Sequence, residues 1–141
     1  MEAIKWSEET LNNMLTEPSA ALVEDLKRLE GDIMVLGAGG KMGPDICVLA
    51  KKASVLGGSD RKIYAVSRFS DAAAAERLRS HGVTVIAADL MDANALQALP
   101  DCKNIIYMAG RKFGTNGTEY LTWGMNAWLP CMVVQRFRQS N

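Results

Sequence analysis

The residues of this 141-residue chain with the clearest chemical potential are clustered glycines. They lie in Leu36-Gly37-Ala38-Gly39-Gly40-Lys41-Met42-Gly43-Pro44. Gly37, Gly40 and Gly43 fit G-x-x-G-x-x-G, whereas the commoner G-x-G-x-x-G fails because Met42 stands in its last position. A tight turn out of a strand needs a residue that accepts positive φ. A later glycine lets backbone N–H groups come close to a diphosphate, and the last lets the next helix pack tightly on the strand. The N-terminus of that helix adds unpaired donors and a partial positive charge. No G-K-[ST] follows at the spacing of a Walker loop. Lys41 is either a solvated helix residue or a phosphate contact. Gly37, Gly39, Gly40, Lys41, Met42 and Gly43 are therefore the predicted anion cradle.

That cradle works only between a buried strand and an amphipathic helix. Ile33–Leu36 is a continuous apolar run, as expected of a strand buried on both faces. A helix follows, with Met42, Ile46, Leu49, Ala50 and Ala53 predicted on its buried face. Ile63–Ser67 reads as a second strand. Asp71 caps a helix to about His81, which Gly82 ends. Val83–Ala87 reads as a third strand. A short helix runs from Asp92 through Leu99 to Pro100, Ile105–Ala109 is a fourth strand, and helix fills much of 117–139. Pro130 is expected to kink that last helix or split it in two. Alternating strands and helices imply a parallel sheet with right-handed crossovers, in the order 3-2-1-4. The expected fold is a three-layer, Rossmann-type α/β domain over 32–141, with its ligand mouth between strands one and four. Residues 1–31 precede it as a helical extension, expected to be a packing appendage. Ser7 caps its first helix, which carries Leu11, Met14 and Leu15 on one side. Pro18 falls in the first turn of its second helix, which Gly31 stops.

Sixteen basic residues balance sixteen acidic ones, so neither nucleic acid nor a membrane surface is an expected partner. No stretch approaches the roughly 18 apolar residues of a membrane span, and no leader pattern opens the chain. Cys47, Cys102 and Cys131 fit neither a disulfide framework nor a metal site. They are expected to be buried free thiols of a cytoplasmic protein. His81 reads as a surface residue.

The end of the second strand bears on which dinucleotide would bind. A carboxylate there would take ribose hydroxyls and repel a 2′-phosphate. This chain has Ser67 and Arg68 instead, with no acid before Asp71. Ser67 can donate a hydrogen bond, and Arg68 can pair with phosphate or stack on adenine. NADP is therefore expected over NAD as the cofactor.

Three later pieces follow in order: Ala88-Asp89-Leu90, Met108-Ala109-Gly110, and Asn126. With the glycine loop they make residues 32–130 resemble the NAD-dependent epimerase/dehydratase family, within the extended short-chain dehydrogenase/reductase superfamily. The resemblance implies that Asp89 and Leu90 flank adenine, with the Asp89 carboxylate accepting from its amino group. It implies that Ala109 and Gly110 pass close to the cofactor ribose and that Asn126 fixes the strand-four region. Leu36 departs from the family's frequent Thr, and Leu129 and Pro130 from its small residues. The family's catalytic Tyr-x-x-x-Lys is missing: Tyr64, Tyr107 and Tyr120 are followed four residues on by Arg68, Arg111 and Gly124. The chain is accordingly expected to be the front of a longer oxidoreductase, cut before strand five and inactive alone. The whole enzyme would take a small-molecule substrate such as a nucleotide sugar. A dihydrodipicolinate-reductase-like enzyme and a non-catalytic NADP(H)-sensing regulator are the alternatives. Trp123 and Trp128, with the edge of strand four, suggest a homodimer.

Overall fold

A computed structural model describes residues 7–112 and 116–141. Its four described strands are β1 (Ile33–Leu36), β2 (Ile63–Ser67), β3 (Thr84–Ala87) and β4 (Asn104–Tyr107). All pair in parallel in the order β3-β2-β1-β4, with Val35 flanked by Ala65 and Ile106. Seven described α-helices accompany them: α1 (Glu8–Leu15), α2 (Ala20–Arg28), α3 (Gly43–Leu56), α4 (Ala72–Ser80), α5 (Ala93–Gln97), α6 (Glu119–Trp123) and α7 (Leu129–Arg136).

The strand period of two divides the core. Ile33 and Val35 face one layer, where they pack with Cys47 and Val48 of α3 and Leu78 of α4. Met34 and Leu36 face the other, against Leu96 of α5 and Leu129 and Val133 of α7. β1 is buried on both faces because helices cover both sides of a parallel sheet. Leu26 of α2, together with Leu29, packs on the first layer. The buried Arg61 guanidinium donates to the carbonyls of Leu26 and Leu29 and so holds the end of α2.

Several elements differ from expectation. α2 starts at Ala20, because Ser19 caps it by accepting from the Leu22 N–H; Pro18 lies ahead of the helix, not in its first turn. α3 buries Cys47, Val48, Ala50, Ala53 and Ser54, while Met42 precedes it 65% exposed and Leu49 is half-buried. The small residues let that face lie close on the sheet, and Ser54 Oγ returns its hydrogen bond to the Ala50 carbonyl. β4 ends at Tyr107, not Ala109: its partner β1 turns away at Gly37, after a last bond from the Met108 N–H to the Leu36 carbonyl. The last helical stretch is not cut in two but runs on from α6 to α7 through a π-helical turn, Gly124–Trp128, immediately ahead of Pro130. Cys131 is exposed, unlike Cys47 and Cys102, because it lies on the outward face of α7.

The outer side of β4 is occupied at one rung. The Asn141 N–H donates to the Lys103 carbonyl, and the Asn141 carbonyl accepts from the Ile105 N–H. Among the described residues, no helix is long and apolar enough to cross a membrane.

Burial raises the Cys47 thiol from an ordinary value of 9.0 to about 12. Below the ordinary value both folded and unfolded thiols keep their proton, and the core is undisturbed. Above it the unfolded chain releases a proton that the folded chain retains. Stability is therefore expected to fall by up to about 1.4 kcal/mol per pH unit in that window. Urea unfolding across alkaline pH checks this, and Cys47→Ala should flatten the profile.

Candidate functional site

The carboxyl ends of the strands open on a groove of about 590 Å³. Its lining comes from four connections. The turn after β1 supplies Gly37, Gly39 and Gly40, and the end of β2 supplies Ser67 and Arg68. The segment after β3 supplies Asp89 and Leu90, and that after β4 supplies Ala109 and Gly110. These nine predicted residues are brought together. Lys41, Met42 and Gly43 lie outside the lining.

Sterics explain how the glycine turn reaches this place. Gly37 has φ +89, and a Cβ there would stand 2.5 Å from the Ala109 backbone nitrogen. No side chain fits, so the turn presses directly on the chain leaving β4. Ser67 Oγ crowds the next part of the turn, 2.6 Å from where a Cβ on Gly39 would be. Gly43 serves packing: a Cβ there would lie 2.4 Å from the Ala38 carbonyl oxygen, so α3 starts flush against the turn.

The donors in the turn are not equivalent. The Gly37 and Ala38 N–H groups bond the Val66 carbonyl at 2.9 and 3.1 Å, and the Gly40 N–H bonds the Gly37 carbonyl at 3.2 Å. No hydrogen bond among the described residues uses the N–H of Gly39, Lys41 or Met42. α3 has no side-chain cap at its N-terminus. Its first-turn acid, Asp45, would oppose an anion there, but Arg77 of α4 pairs with it at 2.8 Å. An uncapped helix start with spare amide donors is an anion-binding arrangement.

The β2 side carries the one described non-glycine residue with positive φ, Phe69, at +46. A bulky side chain in that region is strained. Partial burial of its ring against the first core layer compensates, and the kink leaves Arg68 exposed on the groove wall. Asp89 holds its own loop: Oδ1 accepts from the Met91 N–H at 3.0 Å. Asp92 caps α5 by accepting from Asn94 and Ala95. Leu90 is buried at 6% exposure and still lines the groove.

On the β4 side the Asn126 amide grips the Arg111 backbone. Oδ1 accepts from the Arg111 N–H at 2.8 Å, and Nδ2 donates to the Arg111 carbonyl at 2.6 Å. Gly110 fits beneath this clamp. The expected fixing of the strand-four region by Asn126 thus takes the form of a two-point bond to the main chain. Tyr107 donates to the Met125 carbonyl, and burial raises its phenol above the ordinary range.

Sequence reasoning missed Phe69, Met91, Met108, Arg111, Leu121 and Met125, all of which line the groove. The methionines and Leu121 carried no signal, since apolar residues at strand ends and in helices read as core. Arg111 directly follows the Ala109-Gly110 pair, and that adjacency was its available signal. Among the described residues the lining holds no histidine, lysine or cysteine, and its carboxylates Asp71 and Asp89 each accept a backbone N–H. The described lining combines exposed polar groups at the ends of β2 and β3 with apolar side chains on the β4 side.

No protein-family model matches the chain, and no curated protein sequence matches it. Solved structures do. The Bordetella bronchiseptica enzyme WbmF in complex with NAD+ aligns at TM-score 0.54 and 16% identity, over 79% of this chain and 34% of WbmF. The same enzyme with NAD+ and UDP aligns at TM-score 0.56 and 17% identity, over 82% of this chain and 35% of the other. The chain therefore spans about a third of the length of WbmF. At this identity the likeness establishes the fold, a Rossmann-type parallel α/β sheet.

Gly37→Ala is expected to destabilise the chain by at least about 2 kcal/mol, through strained φ and overlap with Ala109. Urea denaturation measures it, and an unchanged midpoint would show that the turn does not rest on β4.

Proposed function

We propose that this chain is the dinucleotide-binding portion of an epimerase/dehydratase-type oxidoreductase and that it prefers NADP(H) to NAD(H). The observation that carries this reading is the glycine turn pressed on Ala109, with the spare N–H groups of Gly39, Lys41 and Met42 at the uncapped start of α3. Those donors suit a diphosphate. Asp89 and Leu90 would take the adenine, and Ala109 and Gly110 the ribose on the nicotinamide side. Met42 and Lys41 would contribute through backbone donors and Gly43 through packing. Ser67 and Arg68 would receive a 2′-phosphate, since a guanidinium pairs with phosphate bidentately. When bound, the cofactor would supply hydride chemistry, and this chain's residues would hold and orient it.

WbmF has been crystallised with NAD+ and UDP, and this supports a nucleotide-linked substrate for a whole enzyme in which residues 32–141 of this chain would form part of the binding domain. Residues 1–31 would be its helical appendage. Two buried free thiols suit a reducing cytoplasm. Trp123 and Trp128, 73% and 47% exposed, would provide the surface for self-association.

Titrating the chain with NADPH and with NADH, read by cofactor fluorescence, tests the reading. NADPH is expected to bind about tenfold more tightly, and Arg68→Ala to erase the difference. Tighter NADH binding, or an unaltered preference in Arg68→Ala, would reverse the NADP assignment. No binding of either nucleotide would sink the whole proposal.

A further inference from the structure

The chain leaving β2 is fixed at two points and strained between them. Upstream, Ser67 closes the ladder with β3, and its carbonyl accepts from the Ala88 N–H at 2.9 Å. Downstream, Asp71 caps α4 by accepting from the Ala73 N–H at 2.9 Å. Residues 68–70 join these points, and Phe69 among them takes φ +46. An aromatic residue stays in that region only where its surroundings over-determine it. The two fixed ends supply part of that hold, and the ring supplies the rest. It is partly buried against the first core layer, and its Cδ1 lies 3.7 Å from where a Cβ on Gly39 would be.

Arg68 stands immediately before the strained residue, exposed on the groove wall. Among the described residues no hydrogen bond or ion pair fixes its guanidinium. A long side chain without such a restraint goes where its Cα–Cβ bond and rotamers send it, so the main chain at 68–69 sets its direction. Ordering an arginine on a ligand costs side-chain entropy, and a backbone that already aims it lowers that cost.

We propose that Phe69 is the positioning residue for nucleotide discrimination: its anchored ring holds the kink that aims Arg68 at a 2′-phosphate. The inference rests on the reading that Arg68 receives that phosphate, and it names the residue that sets the geometry. The same ring borders Gly39, whose N–H belongs to the donors assigned to the diphosphate. A disturbance passing through Gly39 weakens NADPH and NADH alike, because both carry a diphosphate. A disturbance passing through Arg68 falls on NADPH. The ratio of the two affinities therefore separates positioning from packing.

NADPH and NADH are titrated into the full chain as wild type, Phe69→Gly, Phe69→Leu, Arg68→Ala and the Phe69→Gly/Arg68→Ala double variant, read by cofactor fluorescence. Phe69→Gly frees the backbone and removes the anchor. It is expected to cut the NADPH preference from about tenfold to about twofold, with little change for NADH. Phe69→Leu keeps a smaller apolar anchor and should give an intermediate ratio. It carries the comparison should the glycine variant lose its cooperative urea transition. On the Arg68→Ala background Phe69→Gly should leave the ratio where Arg68→Ala puts it, as expected of one residue acting through another. An unaltered ratio in both Phe69 variants overturns the proposal. So does an equal loss for both nucleotides, or a further fall in the ratio on the Arg68→Ala background. Equal binding of the two nucleotides by the wild type removes the NADP assignment itself and the role of Phe69 with it, an outcome distinct from failure of the Phe69 variants alone.

Discussion

The contact between Gly37 and the backbone of Ala109 is the constraint on which the groove depends. It joins the connection after β1 to the connection after β4 at the point where the order of strands across the parallel sheet reverses. With no side chain between them, the turn is forced tight and α3 starts immediately behind it. The same tightness limits the ladder. β1 has no backbone beyond Leu36 to offer β4, so the chain after Met108 is released to form the far wall. The groove is the space left when two adjacent parallel strands part company.

How much of this was legible in the sequence followed from how local the physics is. β1 and β2 were readable to the residue, because continuous apolar runs between turn signals admit few alternatives. The sheet order followed from the alternation and the handedness of crossovers. Nine of the predicted lining residues meet in the groove because they all sit at carboxyl ends of strands, which the topology gathers. The buried face of α3 is legible only in part. Ala50 and Ala53 are buried as their spacing predicts, but Met42 and Leu49, which look like core by apolar character, give way to Cys47 and Val48 against the close sheet. Phe69 was invisible for another reason: its backbone strain is imposed by tertiary packing and leaves no local mark. The division of available donors within the turn was likewise unreadable, since it depends on the Val66 carbonyl across the sheet.

Pro130 shows how a departure from regularity is absorbed. The proline cannot continue a helix with a normal hydrogen bond, and the chain answers with a π-helical turn in which the Leu129 N–H reaches back to the Gly124 carbonyl. The widened turn includes Asn126, whose amide then meets both polar groups of the Arg111 main chain. A helix-breaking residue thereby contributes, at a distance, to the wall of the groove.

The rung that Asn141 adds to β4 bears on the order of events during synthesis. Its main chain supplies an acceptor to Ile105 and a donor to Lys103, and Ser140 Oγ bonds the Cys102 carbonyl. The preceding strands can zip together while translation proceeds, since their partners are all upstream. This one rung on the outer side of β4 cannot form until residue 141 has cleared the ribosomal tunnel. Until then the Lys103 carbonyl and the Ile105 N–H on that edge lack this main-chain partner.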